Sequence, residues 1–277
     1  MVSAALALAA SIGWGVGDFI GGVKSRVLTP LTVMATSQPF GLVVLLVIAA
    51  VRARPPDGPE VAWGCLAAVL GTIGLAGFYR GMAAGAMSIV APIAAAGAAV
   101  PVIWGVAHGD RITGLQAFGI IATLGGGVVA SLERRGDRTR VAAGVGWGVV
   151  AMLGFGSYFI PLHAAARHDW LWPSVVFRAS SVALVWTIVL ALRRFPRGVR
   201  PHLAALAACG VLDTGGNALF AAASRHGLVS IISVLASLYP VVTVLLARVL
   251  LRERVQPSQN AGVVIALVGV VLITAGG

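Results

Sequence analysis

Residues 110–131, DRITGLQAFGIIATLGGGVVAS, return in altered form at 253–274 as ERVQPSQNAGVVIALVGVVLIT. Asp110, Arg111, Gln116, Gly119 and Gly126 reappear as Glu253, Arg254, Gln259, Gly262 and Gly269 with every interval preserved. Five positions at one shared offset, within matching apolar tails, are the mark of a duplicated unit. The chain reads as two halves of one design: a first repeat over 1–132, a basic linker over 133–141 and a second repeat over 142–277.

Composition says what kind of unit was duplicated. Hydrophobic residues make up 58% of the 277 and charged residues 10%, with a mean hydropathy of +0.96, whereas soluble domains are about a quarter charged. The apolar residues fall in runs of about 20, the length an α-helix needs to cross roughly 30 Å of hydrocarbon. The sequence is that of a polytopic membrane protein.

The net charge of +11 would suggest nucleic acid in a soluble chain. Here the arginines sit mostly in short loops between apolar runs, with no basic stripe or aromatic platform for bases, so topogenic charge accounts for them and no nucleic-acid partner is expected. Cys65 and Cys209 lie inside expected helices, and neither has a neighbouring His or second Cys in sequence. Neither a metal site nor a disulfide framework is indicated. The N-terminus starts apolar at Val2 with no preceding Lys or Arg, and it is read as the first spanning helix and not as a signal peptide.

The expected helices follow in order. The first, Ser3 to Val23, carries Gly13, Gly17 and Gly21 on one face, the spacing that lets a second membrane helix approach closely. Trp14 and Asp18, also four apart, share a face beside that seam. The second runs from Leu31 to Val51, and the third from Val61 to about Gly81, with Tyr79 and Arg80 at its end. The fourth, Ser88 to Ala107, contains Pro92 and Pro101, which a membrane helix tolerates where neighbours or water satisfy the freed carbonyls. The fifth is Leu115 to Ser131.

The sixth, Ala142 to Pro161, repeats the first: Gly154, Phe155 and Gly156 stand where Gly13, Trp14 and Gly15 stood, about 141 positions on. Asp18 has only Phe159 as its counterpart. The seventh, Pro173 to Leu192, matches the second through Pro30 with Pro173 and Ser37 with Ser180, which sets Arg178 opposite Ala35. The eighth, His202 to Ala223, matches the third through Gly74 with Gly216 and Phe78 with Phe220, and here Asp213 and Asn217 are new. The ninth is Leu228 to Leu251, carrying Tyr239 and Pro240, and the tenth Pro257 to Gly276. Five helices per half is an odd number, so consecutive halves cross in opposite senses. The expected fold is an all-α membrane protein of ten transmembrane helices in two inverted five-helix repeats, the plan of many secondary transporters.

Trp14-Gly15, Tyr239-Pro240-Val241 and Glu253-Arg254 followed by Gln259 and Gly262 resemble the EamA branch of the drug/metabolite transporter superfamily, over nearly the whole chain. The resemblance implies a transporter of small metabolites or drugs, expected to be an exporter in the cell (plasma) membrane of bacterial inner-membrane type, monomeric or weakly dimeric. Two departures stand out: Asp110 in place of the more typical glutamate, and Gly97 or Ala98 where a counterpart of Pro240 is expected. Because each repeated acid precedes an arginine at a loop, its expected role is to cap helix ends.

An ionisable residue inside a membrane helix costs on the order of 3 kcal/mol at the centre and is a functional candidate by default. Asp18, Arg80, Arg178 and Asp213 qualify. Asn217 and Phe220 continue the face of Asp213, and Trp14, Phe155, Tyr158 and Tyr239 are candidate aromatic walls, set against the commoner role of aromatics near helix ends as interface anchors; Asn217, these four and Tyr79 complete the candidate substrate-binding set. Asp213 has two readings: alone, it is a proton or cation handle; paired with Arg178, it is a structural ion pair, and sequence does not say whether the two meet. No Ser–His set, paired catalytic carboxylates, metal-ligand spacing or phosphate loop appears, so enzyme chemistry, a cofactor and ATP drive are not expected. A gradient-driven channel is the alternative to a carrier.

Loop charge also predicts orientation. About 14 of the 20 Lys and Arg fall in odd-numbered loops, which puts those loops in the cytoplasm and both termini outside. The resembled family is drawn with both termini inside. On the charge rule, a reporter that works only in the cytoplasm should stay silent when fused after Gly277; a bright reporter would overturn this orientation.

Overall fold

A computed structural model describes residues 2–52, 58–83, 90, 93–94, 96–131, 138–250 and 257–276. Glu253, Arg254, Pro92 and the linker residues 133–137 lie outside this set. The described residues form helices and no strand: α1 (Val2–Ser25), α2 (Pro30–Arg52), α3 (Gly58–Ala83), α4 (Ala99–Ala107) after a 3-10 turn at Ala96–Ala98, α5 (Gly114–Ser131), α6 (Arg138–Ala165), α7 (Leu171–Ala191), α8 (Leu203–Ser224), α9 (Val229–Ala236), α10 (Tyr239–Leu250) and α11 (Pro257–Ala275). Six helices are long and apolar enough to cross a bilayer, and shorter apolar helices accompany them. Outward faces such as Val43, Val47, Phe118, Ile121, Val264 and Val271 stay exposed, as a lipid-facing surface requires. This is a multi-pass membrane protein.

Packing follows the duplication. Helix α1 lies against α8 and, in the other half, α6 lies against α3; α2 packs on α8 as α7 packs on α3; α2 meets α7, α4 meets α9, and α5 meets α11. Exchanging the halves turns the α1–α8 contact into α6–α3 and α2–α8 into α7–α3, and it leaves α2–α7 and α5–α11 as they are, so the core is built between the repeats more than within them. The duplicated glycines show why. A Cβ on Gly119 would meet the Gly269 carbonyl of α11, and one on Gly126 would meet the Gly262 carbonyl. Each repeat's first glycine therefore opposes the other's second, and the two helices cross backbone to backbone.

The rest of the repeated stretch caps helices. The Gln116 amide accepts from the Thr113 N–H at 2.9 Å while the Thr113 hydroxyl accepts from the Gln116 N–H at 3.2 Å, a reciprocal capping box at the start of α5. Asp110 reaches across to the other half, where its carboxylate accepts from the Ser230 N–H at 3.1 Å and hydroxyl at 2.7 Å. A negative charge there meets the positive end of α9.

Three expectations need correction. The ninth segment is not one helix: it breaks between Ala236 and Tyr239, because Pro240 has no N–H for the Ala236 carbonyl. In the fourth segment a 3-10 turn precedes a helix of only nine residues. The sixth helix does not end at Pro161 but continues to Ala165. Proline is also carried inside α2, where Pro39 cannot donate to Ala35, and the Trp186 indole of α7 donates to that carbonyl instead at 3.1 Å. A neighbouring helix satisfies what the proline frees.

Candidate functional site

A cavity with about 510 Å³ of empty space, counted to its open mouth, lies where the two halves meet. Its walls come from repeat-related positions. Trp14 faces it with Phe155, Asp18 with Phe159, and Gly71 with Asp213; Gln38 and Ser181, and Leu75 and Asn217, are likewise matched between halves. A cavity lined by both members of five such pairs sits on the axis that relates the repeats.

Each half of this match comes from helix faces set by close packing. The Gly13 and Gly17 seam rests on α8, with Gly17 beside the Asp213 N–H and Cys209 carbonyl, which turns Trp14 and Asp18 toward the cavity. Gly216 leaves room for the Trp14 indole, which donates to the Asp213 carbonyl at 3.2 Å. That carbonyl also accepts from the Asn217 amide at 2.8 Å.

The charged groups are arranged unequally. The Arg178 guanidinium donates to the Asp213 carboxylate at 2.5 Å, and the two side chains retain 2% and 16% of their exposure. Of the two readings of Asp213, the paired one describes this structure. Asp18 is 5% exposed and lines the same cavity, yet among the described residues no group hydrogen-bonds its carboxylate. The aromatic wall is continuous: Trp14 lies 5.9 Å from Phe159 and 6.3 Å from Tyr158, Tyr158 and Phe159 are 4.6 Å apart, and Phe155 is 6.3 Å from Tyr239. The Thr72 and Ser181 hydroxyls pair at 2.9 Å across α3 and α7.

Residues 1–132 and 142–275 both match the EamA-like transporter family. The chain belongs to that family. No curated protein matches it. Among solved structures, a chain described as "Crystal structure of protein" shares the fold, with a TM-score of 0.79 at 16% identity over 99% of this chain and 96% of that chain.

Of the ten candidates in this EamA-family chain, eight meet at the cavity: Trp14, Asp18, Phe155, Tyr158, Arg178, Asp213, Asn217 and Tyr239. Tyr79 is buried beside Gly21, its hydroxyl 3.6 Å from the Cys209 sulfur, but it does not line the cavity. Arg80 is exposed and stacks on Trp147, 5.2 Å from its ring, so it belongs to the helix end. Gln38, Thr72, Phe159, Phe177 and Ser181 also line the site and were not among the candidates. Gln38 carried a usable signal, an amide in the middle of an apolar helix; the hydroxyls did not, since Ser and Thr bond their own helix carbonyls anywhere. Among the described residues no cluster of His, Cys, Asp or Glu is able to hold a metal ion.

Proposed function

We propose that this membrane transporter is a secondary active carrier, an exporter of a small metabolite or drug, working by alternating access between two inverted five-helix repeats that together make ten crossings. The observation that carries this reading is the pairing of repeat-related residues around one cavity. Two halves with equivalent contacts have two near-equivalent arrangements, and exchanging their conformations moves the opening from one face to the other while the cavity stays in place. The break before Pro240 supplies a place to bend on one side, and the 3-10 turn at Ala96–Ala98 a place to bend on the other.

The test is access from each face. In a Cys65→Ala/Cys209→Ala background, Thr72→Cys puts a thiol in the cavity wall, and a membrane-impermeant maleimide is offered to vesicles of either orientation. Labelling from both faces, with no reagent entering the lumen, is expected. Labelling from one face only would overturn alternating access, and passage of reagent into the lumen would show a pore.

A further inference from the structure

We infer that the cavity takes an organic cation and that Asp18 gives up a proton when that cation binds. The inference rests on the cavity being the cargo site and adds the chemical class of the cargo and its coupling group.

The charges of the lining decide the class. Arg178 is the one cationic side chain among the described lining residues, and Asp213 already neutralises it. An anionic cargo would have to displace that carboxylate from a guanidinium that is almost entirely buried. What remains is Asp18, a carboxylate 95% removed from solvent by its 5% exposure, facing the cavity with no hydrogen-bond partner among the described residues. Buried polar groups are nearly always partnered, so an orphaned one that faces a cavity marks where a ligand's complementary group goes. Two further acceptors agree: the side-chain oxygens of Gln38 and Tyr239 are buried without a hydrogen bond and line the same space. The ring faces of Trp14, Tyr158 and Phe159 complete a wall of the kind that binds ammonium groups through the aromatic quadrupole.

Such a carboxylate has two states the site can use. Protonated, it leaves the lining neutral and the cavity stable without cargo; ionised, it needs a counter-cation, because a bare charge in low dielectric is expensive. Cargo and proton therefore compete for one group, and each cation that enters releases the proton from the Asp18 carboxyl to water. The titratable and charged groups facing Asp18 fit this single-site exchange. They are Asp213 and Cys209 on α8, Arg178 on α7, Tyr79 on α3, Tyr158 on α6 and Tyr239 on α10, while α2 offers only the uncharged Gln38. Asp213 is held by Arg178, and of the two acids lining the cavity Asp18 is the one with no hydrogen-bond partner among the described residues.

Benzylammonium, whose N–H groups can donate to these acceptors, is a suitable probe, with benzoate and benzyl alcohol as anionic and neutral controls, and quenching of tryptophan fluorescence in purified full-length protein as the readout. Saturable binding of the ammonium but not of benzoate is expected. In weakly buffered detergent solution it should release about one proton per cation bound, and on the acid limb its apparent Kd should rise about tenfold for each unit by which the pH falls. Asp18→Asn should abolish the proton release and flatten the pH dependence, and Asp18→Glu should restore both. Tighter binding of benzoate, no saturable binding of the ammonium, binding without proton release, or undiminished release from Asp18→Asn would each overturn the inference. If Asp18→Asn does not fold, proton release and pH dependence in the unmutated protein decide alone. The maleimide experiment is independent of these outcomes, so failure here leaves alternating access standing.

Discussion

Replacing Gly154 with leucine should eliminate the folded protein, while the same change at Gly58 should pass unnoticed. Gly154 lies on the crossing of α6 with α3, where an added Cβ would stand 2.5 Å from both the Cα and the N of Gly74 and 2.9 Å from the Leu70 carbonyl. These are backbone atoms, which cannot rotate away as a side-chain tip can. Overpacking a core ordinarily costs about 1–3 kcal/mol when side chains can shift. Here α3 and α6 have to separate, and with them the two halves. Gly58 has nothing within 4 Å of its Cβ position, so its substitution changes no contact. Gly17→Leu falls between the two: the Cβ itself would sit 3.3 Å from the Asp213 N, tight but tolerable, and the remaining side-chain carbons meet α8. Monodisperse yield after detergent extraction should rank Gly58→Leu above Gly17→Leu above Gly154→Leu. Equal yields would remove close packing between the repeats as the basis of the fold.

Gly154 was legible because duplication writes it twice, as Gly13 and again 141 positions on, and a residue type kept at that offset in an otherwise altered apolar run needs a physical cause; Gly17 was legible by its four-residue spacing from Gly13 and Gly21. Helix limits were legible to within a few residues, since Lys24, Arg52 and the loop prolines mark where the chain leaves the apolar phase. The break in the ninth segment was marked by Tyr239-Pro240, but proline alone does not say whether a helix bends or stops: Pro39 and Pro161 sit inside continuous helices, and Pro240 begins a new one. Helical spacing brought Trp14 and Asp18 to one face correctly. It could not place Tyr79, which lies near the same helix end as Arg80 but on a face that turns inward under Gly21. The meeting of Arg178 with Asp213 was out of reach, because it depends on how α7 and α8 slide past one another, and that register is fixed by contacts of both with the other half.

Removing either member of the Arg178–Asp213 pair alone should be far more damaging than removing both. Arg178 is 1% exposed and among the largest fully buried side chains of the protein. Breaking a buried pair by deleting one partner costs about 3–5 kcal/mol, because the other charge is left uncompensated. The two single variants are not equivalent. Arg178→Leu leaves a carboxylate, which can take up a proton and become neutral; Asp213→Leu leaves a guanidinium, which cannot lose one. Asp213→Leu should therefore be the less stable of the two. At about 2–4 °C per kcal/mol for chains of this size, either single change should lower the melting temperature by roughly 10 °C. The double variant Arg178→Leu/Asp213→Leu removes both charges and fills the space with carbon, and replacements of this kind are often neutral. Its melting temperature should return to within a few degrees of the unmutated protein, giving a coupling energy of several kcal/mol in the double-mutant cycle. With the fold restored, the Thr72→Cys accessibility measurement on the double variant reads what the pair does beyond packing. Labelling from both faces would assign the pair to the framework, and labelling from one face would assign it to the movement. A double variant that melts as low as the singles would show that the two side chains act separately, against the 2.5 Å contact between them.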